Sequence, residues 1–228
     1  MKRILVKKDR TRKQKAIRRT LIFLGMVVFV SVTHLYAFFP FQARYINEEM
    51  YYTGRTHLVQ RLYEPSLNAT KLALFDLTEN EHVTMLHCIR WHPLIGWNAC
   101  FASVLDCATP ARLYGGFYLL SHHRENGDIL FVFGRVDDAD ITSIKIRRQC
   151  KTDLAGEQQE VWMENQSRTS DSRNWKEQNG HRYFVENFGL VNLNFSSRDK
   201  ILLTAYDKNG QEVTTLDVNS QGCVTSLG

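Results

Sequence analysis

The chain has 228 residues, 43% of them hydrophobic and 23% charged, with a formal charge of +5 and mean hydropathy of −0.32. Four prolines and thirteen glycines exclude a collagen-like or low-complexity chain, and 11% aromatic content excludes disorder throughout. The basic pI of 9.0 does not describe the whole chain. Ten Lys/Arg and a single acid, Asp9, fall in residues 1–19, which leaves 19 bases against 23 acids in the remainder. The body is mildly acidic, which argues against nucleic acid as its partner.

Residues 20–41 follow the basic tail. No formal charge occurs from Thr20 to Ala43, and Leu21 to Val30 is almost wholly apolar. About 20 apolar residues in a helix span the ~30 Å hydrocarbon core, so this run predicts a transmembrane helix. Tyr36, Phe38, Phe39 and Phe41 cluster at its far end, as in an aromatic belt, and Pro40 is expected to interrupt the helix. A cleaved signal peptide is the competing reading. It is disfavoured because the run exceeds a signal h-region and no Ala-x-Ala site follows. The excess of Lys/Arg on the N-terminal side predicts a signal-anchor with the N-terminus in the cytoplasm and the C-terminus outside. The basic tail then serves topology and attraction to the lipid bilayer's anionic headgroups.

Residues 42–65 place Phe41, Tyr45 and Tyr52, and also Leu58 and Leu62, near helical spacing. They predict a helical stalk, weakened at Gly54 and closed by Pro65. Beyond Leu72 the periodicity becomes alternating. Candidate strands are 72–77, 82–91, 98–106, 116–121, 129–136, 141–149, 182–187, 200–206 and 211–218. Ile129 to Phe133 is apolar at every position, as in a central strand. Ile144 and Ile146 are expected to face inward, and Lys145 and Arg147 outward. Asn209-Gly210 marks a hairpin whose two-residue turn would pair Leu203 with Leu216 and Ile201 with Val218. A bulged three-residue loop would pair Leu203 with Thr215 instead. Polar residues 151–180 read as a long loop. The fold class expected is therefore mainly β: an N-terminal transmembrane helix and short helical stalk, a small β unit over 66–125, and an antiparallel, Ig-like β-sandwich over 126–228.

Five cysteines lie at 88, 100, 107, 150 and 223. An oxidising exterior permits disulfides, but spacing leaves many patterns open. If 82–91 and 98–106 form a hairpin, Cys88 opposes Cys100 at bridgeable distance. Cys150 and Cys223 follow strand ends and form a plausible second pair, leaving Cys107. His82, His87, Cys88 and His92 resemble a metal cluster only in sequence, because neighbours on a strand point to opposite faces. Asp137, Asp138 and Asp140 suit calcium chemically but read as a solvated turn. Asn68, Asn165 and Asn194 match glycosylation acceptors.

No nucleophile elbow, P-loop or dinucleotide glycine pattern occurs, and no cofactor is implied. No motif resembles a known family closely enough to name one. The expected function is a single-pass membrane protein whose extracytoplasmic β domain binds a protein or cell-envelope partner. The alternatives are a membrane-tethered enzyme and an envelope sensor signalling to the tail. The enzyme would use Cys107 or Cys88 as nucleophile and His87, His92 or His122 as base.

Overall fold

The computed structural model describes residues 11–33, 37–63, 73–122, 127–153, 160–191 and 199–218. Two helices, α1 (Arg12–Val32) and α2 (Pro40–Met50), precede twelve strands. The strands are β1 (His57–Tyr63), β2 (Ala73–Glu79), β3 (Val83–His92), β4 (Gly96–Asp106), β5 (Leu113–His122), β6 (Gly127–Val136), β7 (Ser143–Asp153), β8 (Glu160–Asp171), β9 (Lys176–Gln178), β10 (His181–Val191), β11 (Asp199–Tyr206) and β12 (Glu212–Asp217). All their pairings are antiparallel.

The strands form three sheets: sheet A, ordered β1-β2-β3-β4; sheet B, ordered β5-β6-β10-β9; and sheet C, ordered β12-β11-β7-β8. Alternation along β6 explains the layering. Leu130 and Val132 enter a core shared with Ile144, Ile146, Ile201 and Leu203 of sheet C. Ile129, Phe131 and Phe133 enter a second core, shared with Phe75, Leu77 and Leu86 of sheet A. Sheet B is thus the middle layer, apolar on both faces, as the unbroken hydrophobic run predicts. The result is three antiparallel sheets where a two-sheet, Ig-like sandwich is expected. Sheet B takes β5 from one side of the boundary expected at 125/126 and its other strands from the far side. Gly115 allows the close approach of sheets B and C: a Cβ there would lie 2.2 Å from Leu203 Cδ1.

All nine expected strands correspond to observed ones, and three more occur. The stalk expected over 42–65 is helical only to Met50, and residues 57–63 are strand β1. Positive φ at Tyr52 (55°) and Gly54 (72°) turns the chain out of the helix. Pro40 does not end a helix but opens α2, where its missing N–H costs nothing. Gln42 Oε1 accepts the preceding Phe39 N–H at 3.0 Å. The loop expected over 151–180 contains β8, which pairs with β7 along the edge of sheet C. In the last hairpin Leu203 does pair with Leu216, and Val218 N donates to Ile201 O at 2.9 Å. The turn is longer than two residues. Gly210, at φ 77°, donates to Asp207 O, and a register shift between Ala205 and Tyr206 absorbs the extra length.

Among the described residues no helix is long and apolar enough to cross a membrane. Helix α1 opens with a Thr11–Gln14 capping pair. It then runs through Arg12, Lys13, Lys15, Arg18 and Arg19 before its apolar half begins.

Candidate functional site

Two places in the fold hold side chains where water-based folding would not put them. The first is helix α2. Ala43, Arg44, Asn47 and Glu48 form its inner stripe, since positions i and i+4 share a face. That stripe packs on β3 and β4, burying three polar residues against sheet A: Arg44 is 7% exposed, Asn47 0% and Glu48 1%. Such burial is tolerated only with partners, and sheet A and the Arg55–Thr56 segment ahead of β1 supply most of them, while Arg44 Nε and Nη1 and Asn47 Oδ1 make no hydrogen bond among the described residues. Asp76 on β2, fully buried, takes a bidentate pair from Arg61 of neighbouring β1 (Nε–Oδ1 2.7 Å, Nη2–Oδ2 2.8 Å), with Arg44 Nη1 at 4.0 Å. Glu48 Oε1 accepts the Thr56 hydroxyl at 2.6 Å and the Thr56 N–H at 3.3 Å, while Arg55 Nη1 reaches its other oxygen at 3.4 Å.

His87 lies at the centre of this interface, buried between Asn47 and Thr78. Its Nε2 is 2.8 Å from Thr78 Oγ1, and its Nδ1 is 3.4 Å from Asn47 Nδ2. Burial, with Arg44 adding repulsion, lowers its pKa to about 3, so the ring is neutral. A neutral ring that donates from Nε2 to Thr78 can accept at Nδ1 from Asn47.

The thiols occupy the opposite face of sheet A. Cys88 points into the core between sheets A and B, away from His87 on the preceding position. Its partner across β3–β4 is Phe101 rather than Cys100, because a bulge follows Cys88 and leaves Cys100 as the extra residue. Cys100 nevertheless packs against the same core, and the two thiols interact directly. That interaction and burial together raise the Cys88 pKa well above its ordinary value. Cys107 is buried near Thr84 Oγ1 and Leu105 O, each at 3.6 Å, and burial raises its pKa as well. Neither Cys88 nor Cys107 is thereby activated as a nucleophile. His92 Nδ1 accepts the Leu94 N–H at 3.2 Å. The side chains of His122 and Cys150, and all of Cys223, lie outside the described residues, as do Asn68 and Asn194.

Of the acidic turn, Asp137 binds Arg135 through two 2.7 Å bonds and approaches His181 Nδ1 at 2.7 Å. Asp138 Oδ1 accepts the Asp140 N–H. These carboxylates are tied to their neighbours.

The second place is the N-terminal surface. The apolar half of α1 is mostly uncovered among the described residues: Leu21, Phe23 and Phe29 are each more than 60% exposed, and Ile22, Leu24, Met26 and Val28 more than half, with Val27 and Val30 half-buried. These positions ring the helix rather than forming one stripe. Beyond it, Phe39 and Phe41 stack at 5.6 Å, and Phe41 meets Tyr45 edge-on. Ala37 then fixes the chain to the β3–β4 hairpin: its N–H donates to Ile95 O at 3.2 Å, and its carbonyl accepts the Trp97 N–H at 2.7 Å.

No protein-family model matches the chain, and comparison with curated proteins and with solved structures finds no match. The alternating pattern made the strands legible, but the α2 network was missed. Its residues lie at 44, 47, 48, 56, 61, 76, 78 and 87, and each except His87, which reads as a candidate base, reads alone as a surface residue. The available signal was Ala43 beside three polar residues at helical spacing.

Proposed function

We propose that the apolar run beginning at Thr20, expected over residues 20–41, anchors the chain in a membrane as a single-pass signal-anchor, with Thr20–Val32 of α1 as its helical part, since Ala37 is bound to the β3–β4 hairpin and Pro40 opens α2. On this reading the basic tail 1–19 is cytoplasmic, the C-terminus is outside, and the three-sheet body is an interaction or accessory module for a protein or other cell-envelope component. The observation that supports the anchor is the apolar half of α1: large apolar side chains exposed around the helix suit lipid as their surroundings. The cationic residues ahead of it suit the cytoplasmic headgroups. Support for a binding role comes from the middle layer. Both faces of sheet B are sealed in cores and α2 covers β3 and β4 on the outer face of sheet A, so the surfaces left for a partner are the outer face of sheet C and the edges of the stack.

Outside the cell, an external oxidant of the disulfide-carrier class joins Cys88 to Cys100. The two thiols lose two protons and two electrons to it, and one S–S bond forms. Cys150 with Cys223 is the second proposed pair. Peptide mapping without reductant tests both: recovery of Cys88 and Cys100 as free thiols from cell-surface protein would overturn the first.

Protease added to intact cells tests the anchor. The expected result is removal of the region beyond residue 65 with the tail spared. A protected C-terminus would overturn the proposed topology, and release of the whole chain by washing membranes at high pH would overturn the anchor.

A further inference from the structure

The apolar half of α1, Thr20–Val32, has thirteen residues. At 1.5 Å per residue it covers about 20 Å of a hydrocarbon core of about 30 Å. Only five Cα steps separate Val32 from Ala37, at most ~18 Å of chain, and Ala37 is clamped to the β3–β4 hairpin by its two backbone bonds. The anchor is short and the domain is tied close to its end, so the hairpin tip is held at the membrane boundary.

The tip itself is built for that position. Trp91 to Leu105 carries no charged residue, and neither does Ala37 to Ala43. Leu94 is 81% exposed, with Ile95, Phe39 and Phe41 also exposed beside the clamp. Bare backbone polar groups are what keep most loops out of an apolar layer. Here several are already satisfied. Pro93 has no N–H, Leu94 N–H is held by His92, Ile95 O accepts from Ala37, and Trp97 N–H donates to Ala37.

We propose that the β3–β4 tip, Pro93–Ile95, together with Phe39 and Phe41, is seated in the headgroup–acyl boundary of the bilayer that holds α1. This bilayer-contacting surface rests on the membrane reading above and adds a second attachment to it. It makes good the short apolar length and fixes the orientation of the sheets over the membrane, since a helix alone leaves the domain free to swivel.

The test uses the whole chain reconstituted in vesicles of phosphatidylcholine and phosphatidylglycerol. A benzophenone amino acid replaces Leu94 in one variant and Asn209, in the β11–β12 turn, in another. Both positions are exposed, so neither replacement disturbs packing. Flotation reports the anchor, and the mass of photo-adducts reports the tip. The expected result is that both variants float and that position 94 yields at least about fivefold more lipid adduct than position 209. Flotation with equal, low adduct at both positions overturns the seated tip and leaves the anchor standing. Failure of both variants to float overturns the anchor, and the seated tip with it.

Discussion

Helices α1 and α2 lie seven residues apart in the chain and invert each other. From Leu21 onward α1 shows large apolar side chains to its surroundings on every side, while α2 hides an arginine, an asparagine and a glutamate. Hydropathy alone assigns both wrongly if water is the only solvent considered. What decides burial is the layer each helix meets. Sheet A and the Arg55–Thr56 segment offer α2 donors and acceptors for most of its buried polar groups, whereas most of the large apolar side chains of α1 are exposed. A buried polar interface of this kind is demanding, because each member left without its partner costs more than the bond was worth.

The sharpest way to break the comparison is at Asp76. Asp76→Ala leaves Arg61 and the buried Arg44 without their carboxylate, and removing one member of a buried ion pair costs about 3–5 kcal/mol. Denaturant unfolding of the whole chain in mild detergent measures it. A loss below ~1 kcal/mol would mean that α2 is not held by this network.

Acid is the next probe. His87 has a folded pKa of about 3, and an unfolded histidine titrates near 6.5. Between those values the unfolded chain binds the extra proton, so stability is complete above about pH 6.5 and falls as the pH drops toward 3. From pH 6.5 to 5 the expected loss is about 1.5 kcal/mol, and His87→Gln should flatten that slope. Unfolding midpoints of both proteins across this range check it.

Thr56→Val is a smaller test. It keeps the side-chain shape but removes the 2.6 Å hydroxyl bond to Glu48, with an expected cost of about 1.5 kcal/mol in the same unfolding assay. The smallest effect is expected on the other helix. Leu24→Ser should move unfolding of the sheets by less than about 0.5 kcal/mol, since that side chain is 58% exposed. A larger shift would show that α1 leans on the β layers and would erase the contrast.

The two helices also differ in how legibly they were written. The apolar run of α1 is a one-dimensional signal, visible in consecutive residues, and its boundary with the basic block is sharp. Its length was misread, because the helix takes in the basic residues from Arg12 and Pro40 begins a new helix. α2 depends on residues drawn from three strands, so its partners could not be read locally. The same contrast runs through the sheets. Strands with alternating apolar residues, such as Ile144 and Ile146 on β7, were plain. β8 was not, because an edge strand needs few core contacts: Gln166-Ser-Arg-Thr-Ser-Asp171 holds its place by pairing with β7, and Ser170 is buried where an apolar residue would have signalled a strand. β1 hid behind Leu58 and Leu62, whose spacing imitates a helix. Cys88 and Cys100 were matched correctly by face but not by register, since a bulge leaves no mark in composition.

The double-faced middle strand has a consequence for synthesis. Ile129-Leu-Phe-Val-Phe133 is uncharged, rich in β-forming residues and free of proline, the signature of an aggregation-prone segment. When β6 leaves the ribosome, the strands of sheet A that cover one of its faces have already been made. The sheet C strands that cover the other end at Asp217, about 80 residues downstream, and its neighbour β10 is also still to come. At roughly 5–20 residues per second, the cover of Leu130 and Val132, begun by β7, is complete only some 4–16 seconds after β6 is made. Anything that slows translation past β6 lengthens that interval. A segment sealed on both faces in the finished protein therefore needs chaperone cover while the protein is being made.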